Sequence, residues 1–153
     1  MSAEQRVRDL ALDLPLAPNA AGNYVPGVQT GNLLFLSGCV SRRADGSAIV
    51  GKVGADLSVE QAYEAARVAG LAMLSRIRLV VGSLDRVSRI VKVLGMVNAA
   101  PDFIQQPRVI DGFSNLMVEV FGEAGRGARA AVGMATLSGG MAVEVEMVVE
   151  LKP

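Results

Sequence analysis

From residue 143 to residue 151 the chain alternates: Val143, Val145, Met147, Val149 and Leu151 take the odd positions, and Glu144, Glu146 and Glu150 fall between them. Only an extended strand sends successive side chains to opposite faces, so residues 142–151 must form a strand with one apolar face and one carboxylate face. The apolar face needs a covering layer, and helices are the natural one. The other face is not an ordinary core and looks onto solvent or a subunit boundary.

The remaining elements follow from local signals. Residues 128–137 give the preceding strand, joined to the last one through Ser138-Gly139-Gly140. Tyr24 to Gln29 and Leu33 to Val40 are rich in β-formers and flank Thr30-Gly31-Asn32, a hairpin turn with glycine at its tip. A loop covers Ser41 to Gly54, with a turn at Asp45-Gly46. Ser58-Val59-Glu60-Gln61 has the form of a capping box and starts a helix. Its buried stripe is Ala62, Ala65, Ala66, Ala69, Met73, Ile77 and Val80, small enough at first for close approach to a sheet, and it ends near Gly82. Arg86 to Val97, β-branched and apolar, is a central strand. A second helix runs from Pro107 to Phe121, with Ile110, Phe113, Met117 and Val120 on one face and Gly122 as its stop. Residues 4–12 can form a short amphipathic helix, after which Pro15 and Pro18 force an extended path. Residues 1–20 are thus an N-terminal arm and 21–153 an α+β domain of order β-β-α-β-α-β-β, with both helices on one side of a mixed sheet.

Composition narrows the function classes. A chain of 153 residues with 51% apolar content supports one domain with a real core. Lysine plus arginine and aspartate plus glutamate both number 15, so no net field draws in nucleic acid or an anionic membrane. Mean hydropathy of +0.38 with few aromatics points to apolar surface hidden between copies, hence a homo-oligomer. No apolar run approaches the ~18–20 residues of a membrane span, and the charged N-terminus lacks a signal-peptide core. With a single cysteine, Cys39, and so no internal disulfide, these features favour the cytoplasm. The chain has no histidine, which excludes Ser-His-Asp triads, Cys-His dyads and the usual zinc sites within one copy.

Four stretches in order carry a family likeness: Gly22-Asn23-Tyr24-Val25-Pro26-Gly27-Val28, Asn32-Leu33-Leu34-Phe35-Leu36-Ser37-Gly38, Ala128-Arg129-Ala130-Ala131-Val132 and Val143-Glu144-Val145-Glu146. In these the chain resembles the RidA (YjgF) family of reactive-intermediate deaminases, also known as endoribonuclease L-PSP proteins, over residues 20 to 151. The resemblance implies a chorismate-mutase-like fold assembled as a homotrimer, with clefts between neighbouring subunits. It implies that Arg129 grips the carboxylate of a small enamine or imine such as 2-aminoacrylate, and that Glu144 helps place the attacking water. Tyr24 borders the implied cleft, Ser37 stands in its wall and Ala131 offers a main-chain group. Cys39 stands where the family commonly carries glutamine, Ser114 where it carries a helix asparagine, and Gly127 replaces a larger side chain before Arg129. No cofactor or metal is implied, since a C=N carbon is already electrophilic and needs only placed water and a proton carrier.

The same residues have plainer roles open to them. On spacing alone, Arg129 is a surface charge or a cross-strand partner of Glu144, Glu146 competes with Glu144, Tyr24 is an amphipathic packing residue, and Cys39 is a packed thiol with no activating neighbour. The leading expectation is imine hydrolysis to a 2-oxo acid and ammonia. A non-catalytic trimer that binds a small carboxylate or a partner protein is the alternative. Ribonuclease activity has no support from a chain with no histidine, no basic excess and few aromatics.

Overall fold

The computed structural model describes residues 1–17 and 20–153, so the expectation for Pro18 lies outside the described residues. Its elements are α1 (Ala3–Asp9), β1 (Gly27–Thr30), β2 (Leu33–Val40), α2 (Val59–Val81), β3 (Val87–Asn98), α3 (Gln106–Phe121), β4 (Ala128–Met134) and β5 (Val143–Leu151). Beyond α1, the order is the β-β-α-β-α-β-β expected. The five strands form one sheet in the order β1-β2-β5-β3-β4, antiparallel except for the parallel β3–β4 pair.

The caps explain the helix bounds. Ser58 and Gln61 close a reciprocal capping box, with Oγ of Ser58 accepting from Gln61 N at 3.1 Å and Oε1 of Gln61 accepting from Ser58 N at 2.9 Å. Gly82 ends α2 at φ 83°, a left-handed conformation that costs glycine little. Helix α3 has proline in its first turn and stops at Gly122.

Odd residues of β5 point inward as the alternation requires, and Val143, Val145 and Val149 are fully buried. Helices α2 and α3 cover that face. Phe113, Ile110 and Leu116 of α3 are fully buried, each contributing about 1.5–3 kcal/mol from apolar burial. Close approach is made by missing side chains: a Cβ at Gly112 would lie 2.0 Å from the Tyr63 carbonyl oxygen, and one at Gly95 would lie 2.6 Å from Ile110. The alanine stripe of α2 is buried as expected, although Val80 at its end is only half-buried.

Three bounds differ from expectation by more than one residue. Strand β1 starts at Gly27, not Tyr24, because Pro26 brings no N–H to a ladder; its carbonyl instead accepts from Ser37 N at 3.0 Å. Helix α1 ends at Asp9, and Ala11 turns left-handed at φ 49°. Strand β4 ends at Met134 because the chain must cross the end of β3 to reach β5 on its far side. Gly139 and Gly140, at φ 63° and 69°, make that turn, and Lys52 Nζ pins the crossing by donating to Asn98 Oδ1 at 2.8 Å and the Ala135 carbonyl at 2.5 Å.

The N-terminal segment packs into the domain. Val7 belongs to the core, and Ala3, Leu12 and Leu14 pack against it. Glu4 anchors the segment: its carboxylate accepts from the Arg78 guanidinium and from Leu84 N at 2.8 Å. The hydrogen bonds from Arg78, opposed in part by burial, hold the Glu4 carboxyl below its ordinary range. A depressed carboxyl adds stability that is present above its unfolded pKa and is lost as pH falls through the folded one. Glu4→Gln is therefore expected to lower the unfolding temperature at neutral pH, and the gap to the parent protein should close as pH falls through the depressed folded pKa, below the ordinary carboxylate range. Thermal unfolding of both proteins across that range measures it.

Candidate functional site

Arg129 points from the edge strand β4 toward α3. Its Nη1 donates to Asp111 Oδ1 at 2.8 Å and to Ser114 Oγ at 3.1 Å, and its Nη2 reaches the Pro107 carbonyl at 3.4 Å. Among the described residues nothing accepts from its Nε. Asp111 and Ser114, three residues apart, share one stripe of α3 and meet the guanidinium together. These groups, with Asn115, Arg126 and Gly127, line a cleft of about 260 Å³ floored by Val93, Met117 and Val118. Asn115 is held by the Tyr63 hydroxyl, to which its Nδ2 donates at 3.0 Å. Ala131 lies two residues along β4 on the same face as Arg129. Gly127 is glycine because β3 passes too close: a Cβ there would sit 2.7 Å from Ile90 Cγ2 and 3.1 Å from its carbonyl oxygen.

A second cluster forms on the opposite face, around an irregularity in β2. Between Leu36 and Cys39 the pairing with β5 slips, leaving Ser37 and Gly38 as a bulge. Ser37 Oγ donates to the Val25 carbonyl at 2.7 Å, which clips the segment carrying the exposed Tyr24 to the bulge. Tyr24 accepts a long hydrogen bond from Ala21 N at 3.4 Å. The Glu144 carboxylate lies over Gly38, so close that a Cβ there would come within 2.3 Å of Glu144 Oε1. From below, the buried Arg76 of α2 donates through Nη1 to the Ser37 and Gly38 carbonyls at 2.8 and 2.7 Å. A charged donor on two carbonyls fixes the bulge, while Arg76 Nε, also buried, has no partner. Glu146, by contrast, is exposed and farther along the strand, next to Leu94.

Gly38 gives a direct handle on this cluster. Gly38→Ala meets only the end of a flexible side chain, so it should cost less than about 1 kcal/mol of stability while pushing the Glu144 carboxylate aside. An almost unchanged unfolding midpoint is the expected result, read by denaturant unfolding.

Cys39 joins neither cluster. Period-two alternation after Leu34 and Leu36 would put it on the outer face with Phe35, but the bulge shifts the phase by one and turns the thiol into the core. Burial raises its pKa to about 11, so the thiol stays protonated.

The expected Arg129–Glu144 cross-strand pair is also corrected. Arg129 pairs with Val93 and Glu144 with Met96, and these positions are three apart on an unbroken stretch of β3, so their partners lie on opposite faces. Strand β3 separates β4 from β5. The partner of Arg129 is Asp111, which sequence reading missed; its signal was a polar pair at helical spacing with Ser114 inside an apolar helix. Within one copy, Arg129 and Ser114 meet at the β4–α3 cleft, Ala131 packs against the core farther along β4 and does not line the cleft, and Tyr24, Ser37 and Glu144 lie at the β2 bulge. Cleft and bulge are each half of the expected site.

Among the described residues no helix covers the outer face of the sheet. Val28, Phe35, Val132 and Met134 are exposed on it, beside Glu144, Glu146 and Lys92. Among the described residues no helix is long and apolar enough to cross a membrane, and no cluster of acidic, cysteine or histidine side chains could hold a metal ion.

A single mixed sheet backed by two helices, open on its other face and carrying an arginine-lined cleft on its edge strand, defines a chorismate-mutase-like α+β protein. The family model described as YjgF/chorismate mutase-like, putative endoribonuclease, matches residues 4–148, and the chain belongs to this YjgF/RidA family. Protein TCP17 of Trypanosoma cruzi is 43% identical over 143 residues, which cover 93% of this chain and 89% of that one. The crystal structure of protein Atu1372 from Agrobacterium tumefaciens is 39% identical with a TM-score of 0.89, over 98% of this chain and 94% of that one. TdcF of E. coli, solved with bound serine, is 24% identical with a TM-score of 0.61 over 90% and 94% of the two chains, a likeness of fold. The matched span takes in the N-terminal helix.

Proposed function

We propose that the protein is a homotrimeric enamine/imine deaminase whose site lies between copies, Arg129 and Ser114 coming from one and Glu144, Ser37 and Tyr24 from the next. The observation that carries the proposal is the division of these residues into two half-sites on opposite faces of one sheet. An open outer face with exposed apolar side chains supports association, since a contiguous surface of this kind is normally covered. Serine bound by TdcF, a small molecule with a carboxylate, is of the class the arginine cleft suits.

In the proposed reaction the Arg129 guanidinium holds the substrate carboxylate through charge-assisted hydrogen bonds. Water adds to the C=N carbon of the protonated imine, with Glu144 taking one of its protons. That proton passes to the nitrogen, and as the C–N bond breaks the remaining hydroxyl proton leaves by way of Glu144 to the departing ammonia, so iminium and water become a 2-oxo acid and ammonium. Enamine substrates first take a proton at carbon to give the same imine. The test is release of ammonia and 2-oxo acid when 2-aminoacrylate is generated in situ. A rate no higher than the uncatalysed one would contradict the proposal, and calorimetric binding of a carboxylate without turnover would mark a non-catalytic binding protein instead.

A further inference from the structure

We propose that Asp111 is a specificity-determining residue that makes the Arg129 cleft select zwitterions, small acids bearing a cationic nitrogen beside the carboxylate, over simple anions. This rests on the carboxylate-clamp reading of Arg129 and extends it to the nitrogen end of the ligand.

Asp111 occupies Arg129 in an unusual way for a site that must accept a carboxylate. Its Oδ1 takes Nη1, the prong shared with Ser114, and leaves Nε free and Nη2 with only a 3.4 Å contact to a carbonyl. A ligand carboxylate thus has the Nε/Nη2 edge open to it without displacing Asp111. Oδ2 of Asp111 accepts from no described donor, and the side chain is half exposed, at 48%, within the wall of the same cleft. A bare anion on the free edge would feel this second carboxylate as repulsion. An ammonium or iminium one carbon from the ligand carboxylate would meet it as a partner, because a carboxylate side by side with a guanidinium presents the charge pattern of a zwitterion in reverse. In solvent-facing surroundings, one such contact made or lost corresponds to roughly a two- to fivefold change in affinity.

The consequence for turnover is discrimination between substrate and product. The iminium carries the cation that Asp111 accepts, and the 2-oxo acid does not. Asp111 therefore holds the substrate and weakens the grip on the product, leaving Arg129 free for the next molecule.

The experiment uses the full chain and two probes that differ only at C2, L-serine with its ammonium and L-glycerate with a hydroxyl. Affinities are measured by calorimetry for the parent protein, Asp111→Asn and Arg129→Met. The parent should prefer serine. Asp111→Asn, which keeps the shape and a contact to Nη1, should shift the ratio toward glycerate by roughly two- to fivefold, and Arg129→Met should weaken both probes. An unchanged ratio in Asp111→Asn, with both probes still bound, overturns the assignment of Asp111 alone. If neither probe binds the parent protein, or if Arg129→Met binds both as well as the parent, the carboxylate-clamp reading falls and this inference with it.

Discussion

Adding one methyl group at position 112 is expected to lower stability by roughly 3–4 kcal/mol and the thermal midpoint by roughly 10 °C. The new Cβ would lie 2.0 Å from the Tyr63 carbonyl oxygen and 2.9 Å from its carbonyl carbon, and main chain in the middle of a packed helix cannot swing aside. Helices α2 and α3 would have to separate, unpacking Phe113 and Leu116 and breaking the Asn115–Tyr63 hydrogen bond beside the Arg129 cleft. A helix interior gains about 1 kcal/mol from Gly→Ala on propensity alone, which offsets only part of this. Gly70 in the same interface is the comparison: its Cβ would meet the Leu116 side-chain end at 2.8 Å, so Gly70→Ala should be close to neutral. Equal losses at the two positions, measured by thermal and denaturant unfolding, would show that the helix spacing is not set by Gly112.

Arg129→Met is expected to lower kcat/KM by about 100-fold or more while changing stability by less than about 1 kcal/mol. Losing a charged hydrogen-bonding partner of a substrate carboxylate accounts for the first figure. The second follows from exposure: Asp111, left without its partner, is already half in water and can be hydrated at little cost. Methionine keeps most of the stem's contacts, so the variant isolates the charge. A stability loss of several kcal/mol with turnover unchanged would make Arg129 a structural ion pair and nothing more.

The sequence was most legible where the signal is local. Odd and even positions of β5 fix its buried face without reference to any other strand, and Ser58 with Gln61 fixes the start of α2 within one turn. What resisted reading was non-local. Residues 128–137 followed by a glycine turn and another strand look like neighbours in the sheet, yet β3 lies between them, and only its pairing on both sides reveals this. That insertion removes the Arg129–Glu144 contact and divides the site. Cys39 shows a second cause, since a bulge at Ser37-Gly38 inverts the alternation and no residue in β2 announces it beyond a glycine. Asp111 shows a third: an acid three residues from Ser114 on an apolar helix is conspicuous only once the edge strand is known to pass beside it. The N-terminal segment was visible as a helix, but its anchoring through Glu4 depends on Arg78 and Leu84, far away in the chain.

The division of the site between copies is tested most directly by mixing two disabled chains. Arg129→Met retains the Glu144 half, and Glu144→Gln retains the Arg129 half, so each homotrimer alone should be nearly inactive in the in situ 2-aminoacrylate assay. Unfolded and refolded together in equal amounts, they should form mixed trimers in which one cleft of three combines two intact halves, restoring about a quarter of the parent turnover per chain. Mixed assemblies verified by mass that remain as inactive as the separate variants would contradict a site shared between copies.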